Sequence, residues 1–156
     1  MSATATASTI LTSSVQGRLV TGTEVAITSR QHEFTIDEPE SLGGADRGAN
    51  PIEHLLAALA SCTVISYQVW AGKLGLELDT VDVDLDGTID LAGFFGTDES
   101  VRPGFEGINL TVRITGPESE GEYRRLEEAV AAHCPVLDNL THGVPVTTTV
   151  EVPSAA

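Results

Sequence analysis

Lysine is almost missing from this 156-residue chain: Lys and Arg together number 8, against 23 Asp and Glu, and Lys73 is the single lysine. A formal charge of −15 repels phosphate backbones and anionic lipid head groups, which argues against nucleic-acid or membrane-surface partners. Few lysines and many acids fit a GC-rich genome or salt adaptation equally well. With only two cysteines, Cys62 and Cys134, a small disulfide-stapled module is excluded. Residues 1–14 carry no Lys or Arg and so lack the basic start of a secretory signal; the expected address is the cytoplasm. In that reducing compartment a static disulfide is not expected, and inert buried thiols compete with a reactive pair. The most apolar stretch, 55–71, includes Ser61, Cys62, Thr63, Ser66, Tyr67 and Gln68, too polar for a bilayer span and better read as a helix buried in protein.

What is present suits a folded domain. Hydrophobic residues are 41% and charged residues 20%, which excludes a disordered tail or a collagen-like fibre. The length predicts a single domain over 1–156, with residues 1–9 frayed. Alternation at Val15, Gly17 and Leu19, then Val25 and Ile27, then Phe34 and Ile36, predicts three strands with a turn near Arg30 to His32. Residues 37–49, with Gly43, Gly44 and Gly48, carry no periodicity. At Asn50 a helix begins: Asn50 is the N-cap, Pro51 the first helical residue, and Glu53 closes a capping box. It should run to about residue 71, ending near Gly72 or Gly75, with apolar side chains on nearly every side and hence neighbours all round.

Val81, Val83, Leu85, Ile89 and Leu91 alternate with Asp82, Asp84, Asp86, Thr88 and Asp90, predicting a strand with an acidic outer face. Ile108, Leu110, Val112 and Ile114 predict another, joined to it by the Gly/Phe-rich segment 93–107. Tyr123, Leu126, Val130 and His133 lie at helical spacing; Pro135 then interrupts, and a short helix restarts over 135–141. Val144, Val146, Val150 and Val152 predict a last strand. The sum is an α+β domain with an antiparallel sheet and two or three helices.

Several motifs dissolve on inspection. The run from Asp82 to Asp90 imitates a calcium loop, but Gly93 stands where a bidentate Glu is needed, and the alternation continues through it. His32, His54, His133 and His142, even with the cysteines, lack the short paired spacing of a zinc site, so no metal is expected. No phosphate-cradling glycine loop or serine elbow is present. There remain the thiols. Cys62 lies mid-helix beside Ala58, Leu59, Ile65 and Ser66, where a buried small residue is the plainer reading. Cys134 stands before a proline-initiated helix, whose free N–H groups would lower its pKa.

Asp37-Glu38-Pro39, Gly43-Gly44, Asn50-Pro51, Glu53, Leu55-Leu56, Ala58-Leu59 and Cys62, followed by Cys134-Pro135-Val136 and Leu140, resemble the OsmC/Ohr family of osmotically inducible and organic hydroperoxide resistance proteins. The resemblance runs from about Ser14 to Val152 and lies closer to a less-characterised OsmC-like branch. It implies an intertwined homodimer with the long helices at its centre and a site at the subunit interface. It also implies a thiol peroxidase without cofactor, with Cys62 the peroxidatic thiolate, Cys134 the resolving thiol, and an external dithiol, typically lipoyl-linked, as reductant. The family's Arg–Glu pair maps less directly. Arg30 or Arg18 would be the arginine; Ile52 occupies the place of the glutamate, and Glu53 stands one residue on, about 100° around the helix. Two alternatives are a non-enzymatic small-molecule binder with a cleft lined by Phe94, Phe95 and Phe105, and a thiol enzyme using Cys62 on an electrophilic or acyl substrate.

Overall fold

A computed structural model describes residues 9–152. The expected frayed segment 1–9 lies, apart from Thr9, outside the described residues. Contacts divide the chain into two compact units, Met1–His54 and Leu55–Ala156, the boundary falling in the first turn of the long helix.

The first unit is an antiparallel sheet in the order β1 (Gln16–Thr21), β2 (Glu24–Ser29), β3 (His32–Ile36), with Leu19 opposite Val25 and Ile27 opposite Phe34. Ser29 pairs with His32, so the second turn is the dipeptide Arg30-Gln31, with Arg30 in the left-handed region at φ 56°. The aperiodic segment holds one short 3-10 turn, Glu40–Leu42. It folds round Asp37, the only fully buried residue among those described in this unit. Asp37 Oδ1 accepts from Thr23 Oγ1 at 2.6 Å and Glu38 N–H at 2.9 Å; Oδ2 accepts from Ala45 N–H at 3.0 Å and Arg47 N–H at 3.2 Å. The loop can close this tightly because Gly44 and Gly48 lack side chains. A Cβ would stand 1.8 Å from the Glu38 carbonyl oxygen at Gly44 and 2.2 Å from that of Thr35 at Gly48.

The Thr23 hydroxyl above all, with the three N–H groups and against the effect of burial, holds the Asp37 carboxyl below its ordinary range. The folded form therefore stays ionised at a pH where the unfolded chain has begun to bind a proton. This contribution to stability is complete above about pH 5 and is lost as pH falls through the lowered folded pKa. Asp37→Asn should flatten the acid limb of a stability-against-pH curve measured by urea denaturation. An unchanged acid limb would contradict the assignment.

Helix α1 (Pro51–Leu74) starts as the sequence predicts: Asn50 Oδ1 accepts from Glu53 N–H at 2.9 Å, and Glu53 Oε2 accepts from Asn50 N–H at 2.8 Å. Of the two expected stops it ends at the later, where Gly75 takes φ 70° and Leu76 N–H returns to the Ala71 carbonyl at 2.9 Å. Its buried side chains, Leu59, Thr63, Ser66, Tyr67 and Ala71, follow helical spacing on one face, whereas Ile65 and Val69 are exposed. The expectation of neighbours on every side is therefore met on one face only within a single chain. By length and composition alone α1 could cross a membrane, a property that core helices share.

In the second unit β4 (Thr80–Ile89) and β5 (Phe105–Thr115) form an antiparallel pair. Asp82, Asp84 and Asp86 alternate on the exposed face; Asp84 pairs with Arg113, and Asp86 accepts from Asn109 at 2.8 Å. The calcium-like run is a strand. Leu91 is not part of it: a short helix α2 (Leu91–Phe95) begins there, its Ala92 N–H donating to the Asp90 carboxylate at 2.8 Å. The glycines of 93–107 hid it. Gly93 fits inside this helix because a Cβ would meet the Val101 and Arg102 carbonyl oxygens at 2.7 Å.

Helices α3 (Glu120–His133) and α4 (Pro135–His142) follow. The core unites Tyr67 and Ala71 of α1 with Leu126, Val130 and Cys134, backed by Val81, Val112 and Ile114 from the strands. The last predicted strand is absent. Residues 143–152 take no regular structure, and Val144, Val146, Val150 and Val152 are exposed. A strand needs a ladder partner for its backbone groups, and none of the described strands pairs with this segment.

Candidate active site: the Cys62–Cys134 pair

Cys134 is held by the junction of two helices. Pro135 bars it from helical geometry, so it adopts φ −78° and ψ 112° and both ends α3 and begins α4. Its N–H donates to the Val130 carbonyl at 2.9 Å, and its carbonyl accepts from Asp138 N–H at 3.0 Å. Leu126, Val130 and Cys134 succeed one another at four-residue spacing, so the thiol continues the buried face of α3. Cys62 opens the fourth turn of α1 and packs against the same core. Cys134 is only 1% exposed, whereas Cys62 is half-buried. The sulfurs are 3.4 Å apart and both thiols are free. An approach of about 1.4 Å would complete a disulfide bond of ~2.05 Å.

The donors that act on the two sulfurs are uncharged. Pro135 has no N–H to offer, so the first free donors of α4 are those of Val136 and Leu137; the first favours the Cys62 thiolate and the second that of Cys134. Ser66, one helical turn after Cys62 and buried, favours both anions. Burial pushes the Cys62 thiol up, and the Val136 N–H and the Ser66 hydroxyl only partly oppose it. Burial acts on Cys134 in the same sense but is outweighed by Leu137 N–H, the Cys62 thiol and the hydroxyls of Ser66 and Thr63, leaving that thiol below its usual value. The negative charge of the pair is thus favoured on Cys134, at the helix start, while Cys62 is the less buried of the two residues.

The other expected site residues belong to the first unit. Arg18 is an exposed residue of β1 lining a concave sheet face with Glu33 and Phe34; Arg30 is the exposed turn residue; Glu53 is engaged by the α1 cap. His54 stacks on Phe34, with ring centroids 5.4 Å apart, and its Nδ1 lies 3.0 Å from the Asn50 carbonyl. His133 lies over Trp70, centroids 4.2 Å apart. No group of three His, Cys, Asp or Glu stands together among the described residues. Phe94 and Phe95 are exposed and touch each other edge-on, whereas Phe105 lines a groove of about 440 Å³ with Leu55, Leu59, Leu137, Leu140 and Arg102. Of the three phenylalanines expected in one cleft, only Phe105 lines this groove. Sequence reasoning placed Ser66 beside Cys62, four residues on, without giving it a part, and gave none to Thr63, since no pattern reports the hydrogen-bonding state of a hydroxyl.

Comparison with known proteins follows the same lines. Solved structures similar to this chain include an OsmC-like protein from Mycoplasma pneumoniae, at 22% identity and a TM-score of 0.72, covering 83% of this chain and 87% of that one. An organic hydroperoxide resistance protein OsmC from Legionella pneumophila is similar at 18% identity and TM-score 0.67, covering 87% and 93%. The organic hydroperoxide resistance protein OhrB of Bacillus subtilis is similar at 23% identity and TM-score 0.58, covering 84% and 91%. At these identities the likeness establishes the α+β fold. No curated protein matches at a significant level. The profile of the OsmC-like proteins, however, matches residues 43–149, a span that contains both cysteines and most of the chain, and on that match the chain belongs to the OsmC-like protein family.

Proposed function

We propose that the chain is a cysteine-based peroxidase, acting on organic hydroperoxides or hydrogen peroxide in defence against oxidative stress. The observation that carries this reading is the 3.4 Å separation of two free sulfurs, one reachable and one sealed, at a helix start that stabilises one negative charge. The two sulfurs share one negative charge across that gap, and the reactive form is the one in which the proton of Cys62 has passed to Cys134. The Cys62 thiolate then attacks the distal peroxide oxygen; the O–O bond breaks, Cys62 becomes a sulfenic acid, and the leaving alkoxide takes a proton to depart as alcohol, or as water from hydrogen peroxide. Attack by Cys134 on the sulfenic sulfur forms the disulfide and expels the oxygen as water. An external dithiol, such as a lipoyl group, returns the two electrons by thiol–disulfide exchange. No step requires a bound cofactor, and thiols that rest reduced suit the cytoplasm.

Homodimerisation belongs to the same proposal. Ile65 and Val69 on α1 and the valines of 143–152 leave much apolar surface uncovered in one chain, as expected of surface that a second copy covers. A second reading, a small-molecule binder, draws on the apolar groove with Arg102 at its wall.

Steady-state consumption of cumene hydroperoxide with dihydrolipoamide as reductant separates the two. Turnover proportional to protein concentration is expected. An absence of turnover, with both thiols still titratable by a chromogenic disulfide, would leave the binding reading in place.

A further inference from the structure

Thr63 carries a buried hydroxyl that the resting structure leaves unused. The residue is 3% exposed, and Oγ1 has no hydrogen-bond partner of ordinary geometry among the described residues. A helical Ser or Thr normally returns its proton to a carbonyl three or four residues back. Two others in this chain do so: Ser61 Oγ donates to the Ala57 carbonyl at 2.8 Å, and Thr141 Oγ1 to that of Leu137 at 2.9 Å. Both are exposed, where water could have served instead. Thr63, sealed from bulk solvent, makes no such bond. An unpaired buried hydroxyl is destabilising, so its orientation calls for a compensating role. Thr63 lies on the buried stripe of α1, four residues before Tyr67 and eight before Ala71, both of which pack with Cys134 in the core. It follows Cys62 directly in the chain, and the Cys62 sulfur stands 3.4 Å from that of Cys134; its hydroxyl favours the Cys134 thiolate but makes no ordinary hydrogen bond in the dithiol state.

We propose that the Thr63 hydroxyl is a donor reserved for the Cys134 thiolate, and that it drives the resolving half of the redox cycle, in which that sulfur attacks the Cys62 sulfenic acid. The inference rests on the redox reading of the pair given above. In the resolving step the Cys134 electron pair forms the S–S bond, the Cys62 S–O bond breaks, and the departing hydroxide takes one proton from solvent to leave as water. Thr63 gives up no proton; it holds the charge on the attacking sulfur beforehand. In the reverse sense, when an external dithiol attacks Cys62 of the disulfide, the same donor meets the Cys134 sulfur as it leaves with the electron pair.

Thr63→Val keeps the shape and removes the donor. Removing an unpaired buried hydroxyl should leave the melting temperature unchanged or raise it, which also shows that the variant folds. At neutral pH the Cys134 thiolate population falls. Each tenfold loss of thiolate is partly offset by the greater nucleophilicity of a more basic thiol, leaving closure about threefold slower. In rapid-quench experiments with cumene hydroperoxide, Thr63→Val should therefore oxidise Cys62 at an unchanged or higher rate. It should close the disulfide about threefold more slowly and accumulate more sulfenic acid trappable by a cyclic diketone, and Thr63→Ser should restore closure. Closure at the wild-type rate in Thr63→Val would overturn the inference, with Thr63→Ala as the second variant should Val disturb folding. A wild-type protein that forms neither sulfenic acid nor disulfide would refute the redox reading instead. The donor itself is then judged by ultraviolet titration of Cys134 in a Cys62→Ala background: a higher apparent pKa in the added Thr63→Val change supports it, and an unmoved titration refutes it.

Discussion

Cys62→Ser should consume no peroxide above the uncatalysed background, and Cys134→Ser should consume it only while irreversibly damaging itself. The asymmetry follows from burial. Cys62 is the sulfur a peroxide can reach, and serine in its place has neither the acidity nor the polarisable lone pair to attack an O–O bond. Cys134, at 1% exposure, is shielded from peroxide and acts only through its neighbour 3.4 Å away. Without it, the Cys62 sulfenic acid has no internal thiol to condense with, and a second peroxide carries it to sulfinic acid. Peptide mass spectra after graded peroxide should show two added oxygens on Cys62 in Cys134→Ser at concentrations that give only disulfide in the wild type. Equal peroxide turnover in both single variants and the wild type would contradict the pair mechanism and favour the binding reading.

Leu126→Ala should be the most damaging single truncation in the second unit. Leu126 is fully buried among Tyr67, Ala71, Val130 and Cys134, so its loss removes apolar burial and leaves a cavity. Leucine-to-alanine changes of this kind cost about 3 kcal/mol. In a chain of this size that lowers the melting temperature by roughly 6–12 °C. The same cavity loosens the face of α3 that carries Cys134, two turns further on, so disulfide closure after peroxide should also slow while Cys62 oxidation does not. Calorimetry gives the first number and rapid-quench alkylation the second. A variant as stable as the wild type would mean that this cluster is not the core.

Much of this architecture is legible in the sequence because it is local. The Asn50–Glu53 capping box, the Asp-faced strand β4 and the proline-broken junction at Cys134 each follow from patterns a few residues long. Residues 143–152 misled because alternation reports a preference for extended backbone without supplying the neighbouring strand that completes it. Helix α2 was hidden because the contact that accommodates Gly93 comes from the carbonyls of Val101 and Arg102, eight and nine residues away. At the site, Cys134 could be placed at a helix start from Pro135 alone. That its sulfur meets that of Cys62, 72 residues earlier, became an expectation only through the family resemblance. The transfer of charge toward Cys134 depends on Leu137, Ser66 and Thr63 converging from two helices, which no spacing encodes.

The most direct test of the redox pair is peptide mapping after one molar equivalent of hydrogen peroxide, under non-reducing conditions and at low protein concentration. A cross-linked peptide joining Cys62 to Cys134, with the intact chain lighter by two hydrogen atoms and restored by dihydrolipoamide, is the predicted result. Two free thiols after that treatment, or a cross-link only between separate chains, would contradict it.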